Sequence, residues 1–363
     1  MIKMKNALFT LCFISCWAFQ IVAQQRLKEN FLYTINTESN SIYNVSDLCT
    51  DSDKNIFLID QKNLSVKKFD SNGKYIKQFG RKGKGPGEFT FPTMIRSGRK
   101  NEIIIYDMSL RNFNVFSKTG TYLQTHNFGK MVENFYINKN GEYYLQVPIW
   151  ETKLLDKGQT VYKFERYSSN LKFISTVYEA KIKDRIFEKN NESVNIITYR
   201  FSPSIKWRVL SNGSLIIAQN DSEEIVMLDS KGKVLNKLKH GLERKKTKLF
   251  HLRNYYSYAI DFENAPQKFL EDIMANKKDY AEYLPFFHNI FIAGEDKIFL
   301  QTYNETENEL MFLRIKNDFA SISTSLANPK LFHNNVVWDH NRLITYQKGI
   351  FFDLPKVSVY ELK

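Results

Sequence analysis

The sequence predicts an all-β protein, a six-bladed β-propeller with two loop or helix insertions on one face. Two segments repeat each other 47 residues apart, since Ile56–Asp60 is echoed by Ile103–Asp107 and the residues after each segment also correspond. A period of about 45 residues with several short strands per unit is typical of propeller blades. The chain has 29 Phe and 20 Tyr but little apolar periodicity of helical length, which favours a core built from pleated sheets.

The N-terminal segment is predicted to be a secretory signal peptide covering residues 1–23, so that the propeller occupies residues 24–363. Lys3 and Lys5 precede an apolar run from Ala7 to Val22, and the small residue Ala23 follows at the expected cleavage site. Two alternatives stay open. One is a retained membrane anchor, for which the run is short. The other is lipoprotein processing at Cys16, and membrane association is expected only if that residue is lipidated.

Cysteine content and charge restrict the compartment and the partners. Cys12 and Cys16 lie in the predicted signal, so the mature chain keeps only Cys49, which falls in an apolar strand and is expected to be buried. An exported chain without disulfides suits a bacterial envelope, in the periplasm or at the cell surface. A lipoprotein form is compatible with either location. The net charge of +13 fits either a solvated lysine surface or an acidic partner such as an anionic polysaccharide. Export argues against nucleic acid as a partner.

Six turns rich in Gly, Asn, Asp and Glu are each followed by an apolar strand. Each is predicted to be a hairpin between the first two strands of a blade, because Gly, Asn and Asp tolerate the positive φ of tight turns. The second strands predicted in this way are 56–59, 103–106, 143–147, 215–218, 298–301 and 343–346. Third strands are predicted at 65–70, 113–117, 161–167, 225–229, 310–315 and 357–362. Residues 31–36 are expected to add a strand to the last blade and close the ring.

Uneven spacing between the six turns indicates two insertions, at about residues 178–203 and 240–288, and an apolar stripe predicts a helix over residues 266–283. Both insertions connect the fourth strand of one blade to the first strand of the next. Because antiparallel strands alternate in direction, these connections leave the propeller on the same face as the turns between second and third strands. Function on a rigid scaffold concentrates in elaborated loops, so this insert-bearing face, around the mouth of the central channel, is the predicted binding surface.

The stretch from Gly80 to Phe89 reads GRKGKGPGEF and connects the first blade to the second. It resembles the inter-blade connection of NHL-type repeats. With the signal and the six units, the chain is similar to the secreted six-bladed β-propeller family that is common in Bacteroidota. The resemblance implies the fold but little about activity, because the broader relatives include ligand-binding modules, hydrolases and lyases. A phosphate-binding loop is not supported, since Pro86 and Gly87 stand where a Walker loop has Lys and Ser or Thr.

The leading hypothesis is non-catalytic binding or scaffolding at the envelope, with no cofactor and with a glycan, a peptide or an envelope protein as the ligand. Aromatic rings stack on sugar faces, and arginine binds carboxylates with two parallel donors. Packing of the loops on one another is the alternative interpretation of the aromatic residues. The candidate residues on the rim of the insert-bearing face are Arg81, Lys82, Lys84, Arg111, Trp150, Arg253, Tyr255, Tyr256 and Tyr303.

The alternative function is a metal-dependent lyase or hydrolase with zinc or calcium at the channel mouth. His288 and His333 both precede predicted innermost strands, which would bring them to the channel mouth. The resemblance implies metal ligands at that place in lyases and lactonases of the broader group. The sequence contains no local metal motif such as His-Glu-x-x-His. Asp60 and Asp107, which recur at corresponding strand ends, are expected to accept backbone N–H bonds from the turn that follows each strand.

Overall fold

Six four-stranded antiparallel sheets follow one another along the chain, and each sheet is one blade. The protein is seen here as a computed structural model. It describes residues 29–149, 158–184, 186–189, 194–197, 201–252, 267–275, 280–293, 297–303, 310–315, 322–326, 335–339, 341–346 and 354–362. The six blades that the repeats predict are thus confirmed.

The first three blades are continuous along the chain. The N-terminal strand β1 (Glu29–Ile35) belongs to the last blade. Blade one contains β2 (Val45–Thr50), β3 (Ile56–Asp60), β4 (Ser65–Phe69) and β5 (Tyr75–Phe79). The next connection contains the short paired strands β6 (Arg81–Lys82) and β7 (Glu88–Phe89). Blade two contains β8 (Pro92–Ser97), a 3-10 turn (Arg99–Asn101), β9 (Ile103–Asp107), β10 (Asn112–Phe116) and β11 (Tyr122–Asn127). Blade three contains β12 (Asn134–Ile137), β13 (Tyr143–Ile149), β14 (Gln159–Tyr167) and β15 (Phe173–Lys183).

Insertions precede blades four and five. The first contains a hairpin of β16 (Ile186–Lys189) and β17 (Val194–Ile197). Blade four contains β18 (Ile205–Val209), β19 (Leu215–Gln219), β20 (Glu224–Leu228) and β21 (Val234–Lys239). The second insertion contains the helix α1 (Gln267–Ala275). Blade five contains β22 (Asn289–Ala293), β23 (Lys297–Gln301), β24 (Leu310–Ile315) and β25 (Ile322–Leu326). Blade six contains β26 (Asn335–Asp339), β27 (Arg342–Tyr346) and β28 (Val357–Leu362), together with β1.

The N-terminal strand closes the ring, as predicted. β1 pairs with β28 in antiparallel register and covers the outer edge of blade six. The first strands of the blades, which are β2, β8, β12, β18, β22 and β26, contact one another in order around the central axis, and β26 contacts β2. A hydrogen bond from Arg342 Nη2 to the Lys54 carbonyl oxygen (3.0 Å) also joins the last blade to the first. Closure leaves the sheet of blade six without the free edge that an unpaired β28 would present.

The hydrophobic core lies between neighbouring blades. Between blades one and two, for example, Cys49 and Phe57 of the first pack with Ile95 and Phe116 of the second, and Phe89 from the connection completes the cluster. Cys49 is buried, as expected from its apolar strand, and burial raises the pKa of its thiol. Aromatic rings fill the wide gaps between twisted sheets, which accounts for the composition. Among the described residues, no helix has the length and apolar character needed to cross a membrane.

Two predicted boundaries were wrong. The first insertion begins after Lys183 and not at residue 178, because β15 continues to that residue and buries Val177 and Ile182 against blade four. The predicted helix over 266–283 is observed only as Gln267–Ala275, and residues 266 and 276–279 lie outside the described residues. Tyr283 instead forms an isolated antiparallel bridge with Lys246, so the end of the insertion is extended chain.

Candidate functional site

The connection between blades one and two is held by Glu88. Arg81 donates from Nε to Glu88 Oε1 (2.8 Å), and the backbone N–H of Gly85 donates to Oε2 (2.8 Å). The Gly85 amide and then the Arg81 side chain lower the pKa of the Glu88 carboxyl. Of the three candidate cations in this loop, Arg81 is therefore occupied by an internal partner, whereas Lys82 and Lys84 face solvent.

Gly80 is required where this connection leaves β5. Its φ is +72°, and a Cβ atom there would lie 2.2 Å from the Cε2 atom of the buried Phe89 ring. We expect Gly80→Ala to lower the free energy of unfolding by about 3 kcal/mol, from backbone strain plus overpacking. Gly129→Ala is the matched control, because Gly129 has φ +77° with nothing within 4 Å of the added atom. It should lose only about 1 kcal/mol in urea unfolding, and equal losses for the two variants would contradict this interpretation.

Buried aspartates join two loops of the insert-bearing face in the first two blades. Asp107, at the end of β9, accepts the backbone N–H groups of residues 90 and 91 in the preceding connection and of residues 109 and 110 in the following turn. Asp60, at the end of β3, accepts those of residues 43 and 44. The bonds predicted to the following turn are observed for Asp107, whereas in its following turn Asp60 accepts only the side-chain amide of Asn63 (2.7 Å). Both carboxylates hold the loops of this face in fixed positions.

An open cavity of about 370 Å³ lies between blades two and three on the insert-bearing face. Its walls come from the turn between β9 and β10, the connection from β11 to β12, and the end of β13. The lining residues are Arg111, Lys130, Met131, Val147, Pro148 and Ile149. Two cations therefore lie beside an apolar wall. Such a site suits a ligand that has an acidic group on an otherwise uncharged molecule.

The two cations of the cavity differ in how far their charge is compensated. Lys130 Nζ lies 3.4 Å from Glu165 Oε2 and 3.3 Å from the Tyr167 hydroxyl. Arg111 is exposed and donates only one weak bond, from Nη1 to the Gly129 carbonyl oxygen (3.4 Å), and within the described residues no carboxylate pairs with it. Arg111, which the sequence singled out, is thus the less compensated of the two cations among the described residues.

A buried tyrosine fixes the connection that carries Lys130. The Tyr106 hydroxyl donates to the Lys130 carbonyl oxygen (3.0 Å) and accepts the backbone N–H of Val132 (3.2 Å). Burial raises the pKa of Tyr106 to about 12, so the phenol stays neutral. The floor of the cavity is accordingly preorganised.

The other described rim candidates, Arg81, Lys82, Lys84 and Tyr303, do not line this cavity. Tyr303 is only 5 % exposed, burial raises its pKa, and its ring packs 6.1 Å from that of Phe201 and 5.9 Å from that of His288. It belongs to the packing of the loops, which was the alternative interpretation, and not to an exposed rim. Five predicted residues lie outside the described residues, namely Trp150, Arg253, Tyr255, Tyr256 and His333.

The metal-site hypothesis concerns two histidines, of which only His288 is described. It is exposed at the end of the second insertion. In the described part of the chain, no group of three or more His, Cys, Asp or Glu side chains is arranged to hold a metal ion. Zinc or calcium bound by His288 and His333 stays a prediction, which elemental mass spectrometry before and after chelation would test.

Sequence reasoning missed Lys130, Met131 and Pro148 of the cavity, because Lys130 and Met131 come from the connection between β11 and β12, whereas Pro148 lies in β13. It also missed Arg96, Lys206 and Arg208 on the innermost strands β8 and β18. Lys206 and Arg208 could have been found from their spacing, because residues two apart on a strand lie on the same side, and the rest of this strand is apolar.

Six antiparallel blades closed by an N-terminal strand define a six-bladed β-propeller. Residues 23–325 match the family model DUF5128, which is described as a 6-bladed beta-propeller, and the chain belongs to this family. No curated protein sequence matches the chain.

Solved structures share the fold at low sequence identity. A Bacteroides fragilis protein thought to be exported is 14% identical with a TM-score of 0.56, and the match covers 94% of this chain and 96% of that one. A Bacteroides vulgatus member of the DUF4221 family is 9% identical with a TM-score of 0.52, covering 94% and 99%. Virginiamycin B lyase from Staphylococcus aureus is 10% identical with a TM-score of 0.46, covering 93% and 99%, and this similarity carries no argument about activity.

Proposed function

We propose that this protein is a non-catalytic ligand-binding propeller of the bacterial cell envelope, and that it binds an acidic glycan through its insert-bearing face. The observation that carries the proposal is the cavity between blades two and three. There the guanidinium of Arg111, with which no carboxylate pairs among the described residues, lies beside Met131, Val147 and Pro148. A peptide carboxylate or an acidic patch of an envelope protein is the competing ligand.

The chemistry of the cavity favours an acidic sugar. An arginine fork binds a carboxylate with two parallel hydrogen bonds. The apolar wall offers contact area to the less polar face of a sugar ring, and because the cavity is open, a longer chain can extend out of it. Lys130 adds a second positive charge that Glu165 only partly compensates at 3.4 Å.

Export is supported by the N-terminal pattern of the chain. Lys3, Lys5 and the apolar run up to Val22 have the layout of a secretory signal. The description of the B. fragilis protein as thought to be exported points in the same direction. The envelope is also where a soluble binding module would meet acidic polysaccharides.

Isothermal titration calorimetry with trigalacturonic acid and neutral galactotriose tests the proposal. We expect binding of the acidic trimer only, and we expect Arg111→Ala to weaken it about tenfold, because one charge-assisted contact is lost. Lys84→Ala is the matched control, since it removes an exposed cation from another connection on the same face. Equal binding of both trimers, or an unchanged affinity in Arg111→Ala, would refute acidic-glycan recognition at this cavity. Binding of acidic peptides alone would assign the cavity to the competing ligand.

A further inference from the structure

The central channel has an excess of positive charge. The first strands of the six blades line the channel, and they carry few charged side chains. In the described residues of these strands the charged side chains are Asp47, Arg96, Lys206, Arg208 and Asp339. Asp339 is paired with Arg342 on the neighbouring strand (2.8 Å). One carboxylate, that of Asp47, is therefore left for three cations.

Arg96 forms an ion pair with the Asp47 carboxylate. Its Nη1 atom lies 2.5 Å from Asp47 Oδ2, while Asp47 Oδ1 accepts the hydroxyl of Tyr346 (3.2 Å). Arg96 also donates from Nη2 to Asn134 Oδ1 (2.8 Å) and from Nε to the Phe135 carbonyl oxygen (3.0 Å). Both members of this ion pair are saturated with protein partners.

Among the described residues, Arg208 has only neutral hydrogen-bond partners. Its Nη1 atom donates to the Trp207 carbonyl oxygen (2.8 Å), and Nη2 makes a long bond to Asn289 Oδ1 (3.4 Å). The guanidinium carbon lies 5.4 Å from the centre of the Tyr136 ring and 5.8 Å from that of Phe291. In the part of the chain that is described, no carboxylate pairs with it.

Lys206 adds a second uncompensated cation. It stands two residues before Arg208 on β18, so both side chains leave the same side of the strand. It has no hydrogen-bond or ion-pair partner among the described residues, and burial and then the charge of Arg208 lower its pKa to about 8. Two neighbouring, partly exposed cations without a counter-ion are unfavourable in a protein interior unless an anion joins them.

We propose that Lys206 and Arg208 form a binding site in the central channel for a small oxyanion, a carboxylate or a sulfate group. β18 starts from the insert-bearing face, so Lys206, at its second position, lies towards that opening of the channel. Arg208 supplies a planar donor group deeper in the channel, flanked by the rings of Tyr136 and Phe291. None of these residues lines the cavity at Arg111, so this site is independent of the glycan proposal.

Calorimetry and thermal unfolding with sodium succinate and sodium sulfate test this site, with sodium chloride at equal ionic strength as the reference. The wild type should show saturable binding and a rise in melting temperature with at least one oxyanion beyond the effect of chloride. Lys206→Met and Lys206→Gln should each weaken binding about tenfold through loss of a charge-assisted contact. The same titrations in an Arg111→Ala background exclude carboxylate binding at the other cavity. Lys74→Gln is the control, because it removes an exposed cation on the opposite face, and it should bind the oxyanion as the wild type does.

The outcomes separate the chemistries. Binding of succinate alone assigns the site to carboxylates, and binding of sulfate alone assigns it to sulfate groups. A wild type that responds to both oxyanions only as it responds to chloride would overturn the proposal. Wild-type affinity in both Lys206 variants would overturn it as well, whatever Arg111→Ala does to glycan binding.

Discussion

Replacing Asp107 by alanine is expected to lower the free energy of unfolding by about 4 kcal/mol, because a buried carboxylate that several backbone groups share is lost. Its Oδ2 atom accepts the N–H groups of Thr90 (2.7 Å) and Phe91 (2.9 Å). Its Oδ1 atom accepts those of Ser109 (3.1 Å) and Leu110 (3.0 Å). The side chain is fully buried, so alanine leaves these donors without partners in a site that water enters poorly.

Urea unfolding followed by tyrosine and tryptophan fluorescence measures this loss. Asp53→Ala is the matched control, because Asp53 is an exposed aspartate whose ion pair with Lys118 is long (3.4 Å). A surface pair of this kind contributes at most about 1 kcal/mol. A loss in Asp107→Ala no larger than in Asp53→Ala would show that the loops of the insert-bearing face are not held by this residue.

Replacing Lys206 by methionine is expected to raise the free energy of unfolding at pH 7 by about 2 kcal/mol. Burial and the nearby Arg208 lower the pKa of Lys206 from 10.5 to about 8. One pKa unit corresponds to about 1.4 kcal/mol, and water that reaches the channel reduces the full value. Below pH 8 Lys206 is charged in both the native and the unfolded state, so the native wild type carries the full free-energy cost of the buried charge.

The gain should depend on pH in one direction. Between pH 8 and 10.5 the native state has released the proton that the unfolded state still binds, so the stability of the wild type rises with pH. The difference between Lys206→Met and the wild type should therefore shrink as pH rises through this range. On the described innermost strands, the other charged or titratable groups are Arg208 on β18, Tyr136 on β12, Arg96 on β8, Asp47 and Cys49 on β2, and Asp339 on β26. These groups are present in both the variant and the wild type, so their titration largely cancels in the difference between the two free energies of unfolding.

Parallel urea titrations of the variant and the wild type at pH 7 and pH 10 test this expectation. Lys84→Met is the control, since Lys84 is exposed and its replacement should change stability by less than about 0.5 kcal/mol. A Lys206→Met variant that is less stable than the wild type at pH 7 would mean that the ammonium has a stabilising partner. The charge of Lys206 would then already be compensated without a bound anion.

The blades were predictable because their signals are local. A turn such as Asn140 and Gly141 followed by the apolar run of β13 specifies a hairpin from neighbouring residues alone. The repeat of Asp60 at Asp107 marks the same position in two blades, and both carboxylates prove to have the same role. The pairing of β1 with β28 followed from the need to cover an edge.

The ends of the insertions and the sites were less predictable because they depend on distant residues. The apolar spacing that suggested a helix up to residue 283 continues into extended chain, where Tyr283 pairs with Lys246. Arg111 could be singled out by its type and its turn, whereas the cavity also needs Met131 from the connection between β11 and β12 and Pro148 from β13. The channel site assembles only when the ring closes and brings Arg208 within 5.4 Å of the Tyr136 ring, from strands about 70 residues apart.

Hydrogen–deuterium exchange of the wild type with and without trigalacturonic acid tests most directly that the insert-bearing face is the binding surface. Protection is expected in the three segments that build the cavity, 108–111, 128–133 and 147–149, which share that face. Protection of the turns on the opposite face, 51–55, 98–102 and 138–142, or no change in any of these segments, would contradict the account.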